Sequence, residues 1–212
     1  MSNDRLQIYR DSRSGNCYKL KLLCAELGMD YDWIEVDILN GETHSDAFLE
    51  MNPNGKIPLL TLPDGRYLAE SNAILCYLSE GSNFFPGRAF DKAEVLQWLF
   101  FEQYSHEPYI ATSRFIIQYL GTPPERAAEL EQKKDGGYKA LGVMESRLAS
   151  HDYLAGSDYS IADIALFAYT QVAGEGGFSL DHYPAIRAWL DRIRMRPNFV
   201  PMSFSGSSGR HC

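Results

Sequence analysis

No stretch of this chain stays apolar for the roughly 18 residues that a membrane-spanning helix needs. The opening Met1-Ser2-Asn3-Asp4-Arg5 also lacks the apolar core of a secretory signal, so a cytoplasmic location is the expectation. Basic residues form no run, and 28 Asp and Glu against 20 Lys and Arg leave a net charge of -8. That balance argues against a nucleic-acid partner, because neutralising phosphates takes clustered Lys and Arg. Cysteine is scarce. Cys17, Cys24, Cys76 and Cys212 form no C-x-x-C pair and no zinc spacing, so reduced thiols and no metal are expected. Apolar side chains are plentiful: 45% hydrophobic residues over 212 positions suffice for one large core or two modest ones.

The order of patterns along the chain suggests two domains. Leu6-Gln7-Ile8-Tyr9 alternates as a strand, and a helix follows from about Gly15 to Leu27 with Gly28 as its stop. Ile34, Val36 and Ile38 alternate as a second strand, and Ser45 to Met51 reads as a short helix ended by Pro53. A strand at Lys56 to Leu60, a turn at Asp64-Gly65, a strand from Tyr67 and a helix from Ser71 complete the order of a thioredoxin-like domain over residues 1–81. Residues 82–91 have linker composition. Beyond them no strand pattern appears, and residues 92–202 read as an all-helical domain. Its first long helix is expected to kink at Pro108, and its second to weaken at Gly136-Gly137. Ser160-Ile161-Ala162-Asp163 reads as a capped helix start, and residues 203–212 as a flexible polar tail.

The segment from Lys56 to Tyr77 has the makings of a small-peptide trap. Pro58 forces Ile57 into an extended conformation whose backbone groups can pair with an added peptide strand. The helix start at Ser71 suits a carboxylate, and Glu70 beside it suits an amine. With Asn52-Pro53, Lys56-Ile57-Pro58, Asp64-Gly65 and Glu70-Ser71-Asn72-Ala73-Ile74-Leu75-Cys76-Tyr77-Leu78 in place, the chain resembles the glutathione transferase family. The resemblance covers all but the tail. It implies a thioredoxin-like domain followed by an all-helical one, glutathione as co-substrate, and a homodimer.

The resemblance also assigns residues. Ser14 looks like the serine of theta-like members, which donates a hydrogen bond to the glutathione thiolate. Asn16, with Ser14 and Lys19, matches the spacing of nu-like members that reduce disulfides, and is a candidate second donor. Cys17 lies on the apolar face of its helix and reads as a structural thiol. Ile57 is expected to pair with the cysteinyl backbone, Pro58 to follow a cis peptide, and Glu70 and Ser71 to hold the γ-glutamyl end. Lys56, with either Thr43 or His44, is expected near the glycyl carboxylate. For a second substrate, electrophilic or disulfide, the candidates are Tyr9, Tyr104, His106, Tyr109 and Arg114, each of which also reads as packed or solvated. Transferase chemistry, disulfide reduction and a non-catalytic interaction protein on the same fold remain three readings.

Overall fold

The computed structural model describes residues 5–202. Its first compact unit runs to Ile74 and takes up the chain again from Val200. β1 (Leu6–Arg10) lies parallel to β2 (Tyr31–Glu35) and antiparallel to β3 (Leu59–Thr61), which pairs antiparallel with β4 (Tyr67–Ala69). The sheet order is β2-β1-β3-β4, with Ile8 at its centre opposite Trp33 and Leu60. Parallel neighbours need a crossover, and α1 (Gly15–Leu27) supplies it. Leu20, Leu22, Leu23 and Cys24 of α1 are fully buried. Gly28, at φ 63°, ends the helix, and the Met29 N–H closes on the Cys24 carbonyl at 2.9 Å.

The expected second strand is displaced. Its pairing stops at Glu35, and Ile38 lies in a turn where the Asp37 carboxylate accepts the N–H groups of Leu39 and Asn40, each at 3.1 Å. An Asx turn thus outweighs the alternation that continues through Ile38. α2 (Asp46–Met51) is capped by Ser45 Oγ, and α3 (Ser71–Ser79) follows β4 directly. The sequence reading draws its domain limit at residue 81, whereas the compact units divide between Ile74 and Leu75, inside α3.

The second unit, Leu75–Phe199, contains no strand. α4 (Ala89–Phe101) begins inside the expected linker and passes through a wide π turn at Glu102–His106 into α5 (Glu107–Gln118). The expected kink takes this form. Pro108 occupies the first turn of α5, where its missing N–H is harmless, and the wide turn precedes it where its ring would meet the carbonyl four residues back. α6 (Ala127–Leu148) runs unbroken through Gly136-Gly137, correcting the expected weak point. Those glycines are packing sites: a Cβ at Gly136 would lie 2.1 Å from Tyr109 Cε1, and one at Gly137 would lie 2.3 Å from Phe178 Cε1.

α7 (Ile161–Thr170) is buried along its whole length and starts from a capping box of Ser160 and Asp163. The Asp163 carboxylate also accepts from Leu154 N–H at 3.0 Å and from Trp189 Nε1 at 2.9 Å on α8 (Pro184–Arg194). Burial nevertheless outweighs these donors and pushes Asp163 up to about 6. No helix among the described residues is long and apolar enough to cross a membrane. The expected flexible tail at 203–212, Cys212 included, lies outside the described residues.

Candidate functional site

The loop between β1 and α1 is held by its own charges. Asp11, 3% exposed, accepts the Arg13 N–H at 2.7 Å and Arg13 Nη2 at 2.9 Å, while the Ser14 N–H donates to the Asp11 carbonyl at 3.0 Å. Ser14 is thereby set as the N-cap of α1, its Oγ accepting from the Cys17 N–H at 3.4 Å. A hydroxyl has one proton and two lone pairs, and the cap uses only a lone pair. Capping and donation to a thiolate are therefore compatible. Cys17 itself is 2% exposed, and burial pushes its thiol up to about 12 although Ser14 favours its anion. A thiol so placed stays neutral at physiological pH and is inert as a nucleophile.

A second group forms where α1 meets the start of α3. Ser71, 4% exposed, donates from Oγ to Asn16 Oδ1 at 3.3 Å and accepts from Lys19 Nζ at 3.2 Å. Lys19 also donates to Asn72 Oδ1 at 3.3 Å. Glu70, just before the helix, has φ 69°, a left-handed backbone that glycine favours and glutamate does not. Its carbonyl accepts the Ile74 N–H at 2.9 Å, so Glu70 occupies the cap position of α3 with its side chain exposed. Strained residues of this kind persist where surrounding structure over-determines them, commonly at ligand sites.

The Ile57-Pro58 peptide is cis. Ile57 packs its side chain on the cluster of Val36, Phe48 and Leu59, while its backbone N–H and C=O make no hydrogen bond among the described residues. Asn52 shapes the approach, donating from Nδ2 to the Lys56 carbonyl at 2.7 Å. Lys56 and His44 are exposed, and Thr43 is buried with Oγ1 3.0 Å from His44 Nδ1. Gly55, at φ 61°, brings this loop against them: a Cβ there would lie 3.2 Å from the Thr43 carbonyl and 3.3 Å from His44 Nε2. Thr43, His44 and Lys56 thus border one loop.

The residues expected to hold a second substrate are dispersed. Tyr9 belongs to the cluster around Phe48, its ring edge-on to Phe48 at 6.0 Å. In the helical unit His106 is fully buried, 2.9 Å from Thr170 Oγ1, and Arg114 is 2% exposed with Nε 2.7 Å from Glu175 Oε2. Neither presents its polar head to solvent. Tyr109 packs against Gly136, and Tyr104 is 85% exposed. Sequence reasoning gave no role to Lys19, Asn72 or the Asp11–Arg13 clamp. A lysine three residues after Asn16, on a helix whose neighbouring positions are apolar, was the available signal for the first.

Comparison with known proteins bears on the family and the fold. The family model for the glutathione S-transferase N-terminal domain matches residues 13–80, and that for the C-terminal domain matches residues 94–197. The disulfide-bond oxidoreductase YfcG of Escherichia coli (strain K12) is 32% identical over 86% of this chain and 87% of its own. A crystal structure of a glutathione S-transferase from Pseudomonas fluorescens superposes with a TM-score of 0.91 at 57% identity, over 93% of this chain and 98% of the other. Ure2p in complex with glutathione gives a TM-score of 0.83 at 25% identity, over 92% of this chain and 96% of that one. With both domains matched in order, and a thioredoxin-like sheet followed by a helical unit, the chain belongs to the glutathione S-transferase family.

Proposed function

We propose that this chain binds glutathione on its first unit and ionises the thiol for attack on an electrophilic, apolar or aromatic substrate. The observation that carries the reading is Glu70, held at φ 69° at the head of α3 beside the buried hydroxyl of Ser71, together with an Ile57 backbone that makes no hydrogen bond among the described residues. Glu70 meets the γ-glutamyl ammonium, and the first N–H groups of α3 with Ser71 meet its carboxylate. Ile57 pairs with the cysteinyl backbone as an added strand, with Pro58 fixing the bend. Lys56, with Thr43 or His44, takes the glycyl carboxylate.

Ser14 donates its proton to the glutathione sulfur as a hydrogen bond and does not ionise. Lowering a thiol from about 8.5 by two units takes about 2.7 kcal/mol. One hydrogen bond to a charged group contributes roughly 1.5–3 kcal/mol and the α1 terminus up to about 1 kcal/mol, which together suffice. The thiol proton leaves to solvent, sulfur bonds to the electrophilic carbon, and the leaving group departs with its electron pair.

A second reading is favoured by Asn16, bonded to Ser71 at 3.3 Å, and by the similarity to YfcG. Here the thiolate attacks one sulfur of a substrate disulfide, the other sulfur leaves as a thiolate, and a second glutathione releases oxidised glutathione and the reduced product. We also propose a homodimer, supported by the exposed Phe90, Phe100 and Tyr104 along α4 and the turn after it. Light scattering at micromolar concentration tests it, a monomer mass counting against it.

Retention on immobilised glutathione with elution by the free tripeptide tests the binding step. Turnover with a halogenated aromatic and with hydroxyethyl disulfide then separates the readings. Retention without turnover of either supports the non-catalytic interaction protein, and no retention overturns the glutathione site.

A further inference from the structure

We propose that Glu35 is a positioning residue that ties the turn carrying Ser14 to the sheet, an inference that rests on the function proposed above. The chain leaves β1 at Arg10 and enters α1 at Gly15 through a turn from Asp11 to Ser14, closed by the Ser14 N–H on the Asp11 carbonyl at 3.0 Å. Inside it the Arg13 N–H donates to Asp11 Oδ1 at 2.7 Å, so the Asp11 side chain braces its own turn. Neither bond fixes the turn to anything outside it. A third does: the Ser12 N–H donates to Glu35 Oε1 at 2.7 Å, across 23 residues of chain.

Glu35 is well placed to hold it. It ends β2 and stands in register with Arg10, the last residue of β1. Its second oxygen, Oε2, lies 3.1 Å from Arg10 Nε, and the Arg10 guanidinium rests over the Trp33 ring at 4.7 Å. One carboxylate therefore holds the end of β1 with one oxygen and the turn two residues later with the other. The Glu35 side chain is half exposed, and an exposed ion pair by itself contributes little. A charge-assisted bond to a backbone N–H is stronger and directional, and this is the bond that orients the turn. The N–H groups of Ser12, Arg13 and Ser14 are thus all committed within the protein. A thiolate at this turn meets the Ser14 hydroxyl rather than these amides, and how well that hydroxyl is aimed depends on how firmly the turn is held.

The test compares wild type, Glu35→Ala and Glu35→Gln, each with Ser14 present and with Ser14→Ala. Thiolate absorbance of bound glutathione is titrated against pH, and KM for glutathione, kcat and the melting temperature are recorded. Glu35→Ala is expected to raise the bound thiol's pKa by about half a unit, a roughly threefold loss of thiolate at neutral pH, with a similar fall in kcat. KM should change by less than about twofold, since Glu35 is not among the proposed glutathione contacts. Glu35→Gln keeps an acceptor for the Ser12 N–H and is expected to titrate close to wild type. Beside Ser14→Ala, Glu35→Ala is expected to change the titration little, because its effect passes through the hydroxyl that is gone.

A carboxylate acting directly on the thiolate gives the opposite sign: Glu35→Ala and Glu35→Gln would both lower the thiol's pKa. That result overturns the proposal, as does a Glu35→Gln shift as large as that of Glu35→Ala, or an equal Glu35→Ala shift with and without Ser14. An unchanged titration with a lowered melting temperature also overturns it and leaves Glu35 a purely structural residue. Should Glu35→Ala fail to fold, Glu35→Val, which suits a strand and offers no acceptor, takes its place and is read the same way. If wild type shows no bound thiolate, or Ser14→Ala titrates as wild type does, the reading of the site falls and takes this inference with it. Wild-type thiolate that Ser14→Ala shifts and Glu35→Ala does not overturns only the inference.

Discussion

Replacing Glu70 with glycine acts on stability and on binding in opposite directions. Glutamate at φ 69° incurs roughly 1–2 kcal/mol of backbone strain. Glycine removes that strain but adds about 0.5–1 kcal/mol of unfolded-chain entropy. The net is between no change and a gain of about 1.5 kcal/mol, or a rise in Tm of up to about 3–6 °C for a chain of this size. Binding goes the other way. A hydrogen bond between charged groups contributes roughly 1.5–3 kcal/mol, so losing the carboxylate raises KM for glutathione by about 10- to 150-fold. Glu70→Ala loses the same contact but keeps the strain, so it weakens binding equally with no gain in Tm. Thermal melts and KM at saturating second substrate measure both quantities on the same samples. Wild-type affinity in Glu70→Gly would show that the carboxylate does not touch the ligand. A Tm for glycine below that for alanine would refute the strain argument.

Gly136→Ala and Gly137→Ala should each lower Tm, because a Cβ within 2.1 Å and 2.3 Å of Tyr109 and Phe178 carries an overpacking cost of about 1–3 kcal/mol, more than the helix propensity gained; a higher Tm would contradict the packing role. Cys17→Ala should retain neutral-pH turnover, since a thiol pushed up to about 12 supplies no thiolate, and abolished turnover would make Cys17 the nucleophile. Asp163 titrates at about 6 in the folded chain and near 3.9 unfolded. The folded state therefore binds more protons between those values, and its stability falls as pH rises through that window, by about 3 kcal/mol in all. Denaturant midpoints should show a smaller penalty for Asp163→Asn near pH 7 than near pH 4, and the reverse trend would refute the raised value.

Features set by local chemistry were legible in the sequence. Gly28 ends α1, Ser45 and Ser160 cap α2 and α7, and the Asp64-Gly65 turn joins β3 to β4, each by interactions within a few residues. What depended on distant partners was not. Gly136-Gly137 reads as a break until Tyr109 and Phe178 fill the space that missing side chains leave. Lys19 reads only as one member of a spacing with Ser14 and Asn16 until Ser71 and Asn72, far along the chain, accept its hydrogen bonds. His106 and Arg114 carry polar heads that suggest a pocket, and only their contacts with Thr170 and Glu175 show that those heads are turned inward. The left-handed backbone of Glu70 contradicts residue preference, and residue preference is the only warning a sequence offers.

Titration of the thiolate absorbance of glutathione bound to wild type and to Ser14→Ala tests the central claim most directly. The account predicts that the wild-type thiol ionises one to two units below the free value of about 8.5. Ser14→Ala should bind glutathione but return the thiol toward that value, with turnover at neutral pH falling by about one to two orders of magnitude and partly recovering as pH is raised. Identical titrations in the two proteins would contradict the assignment of Ser14.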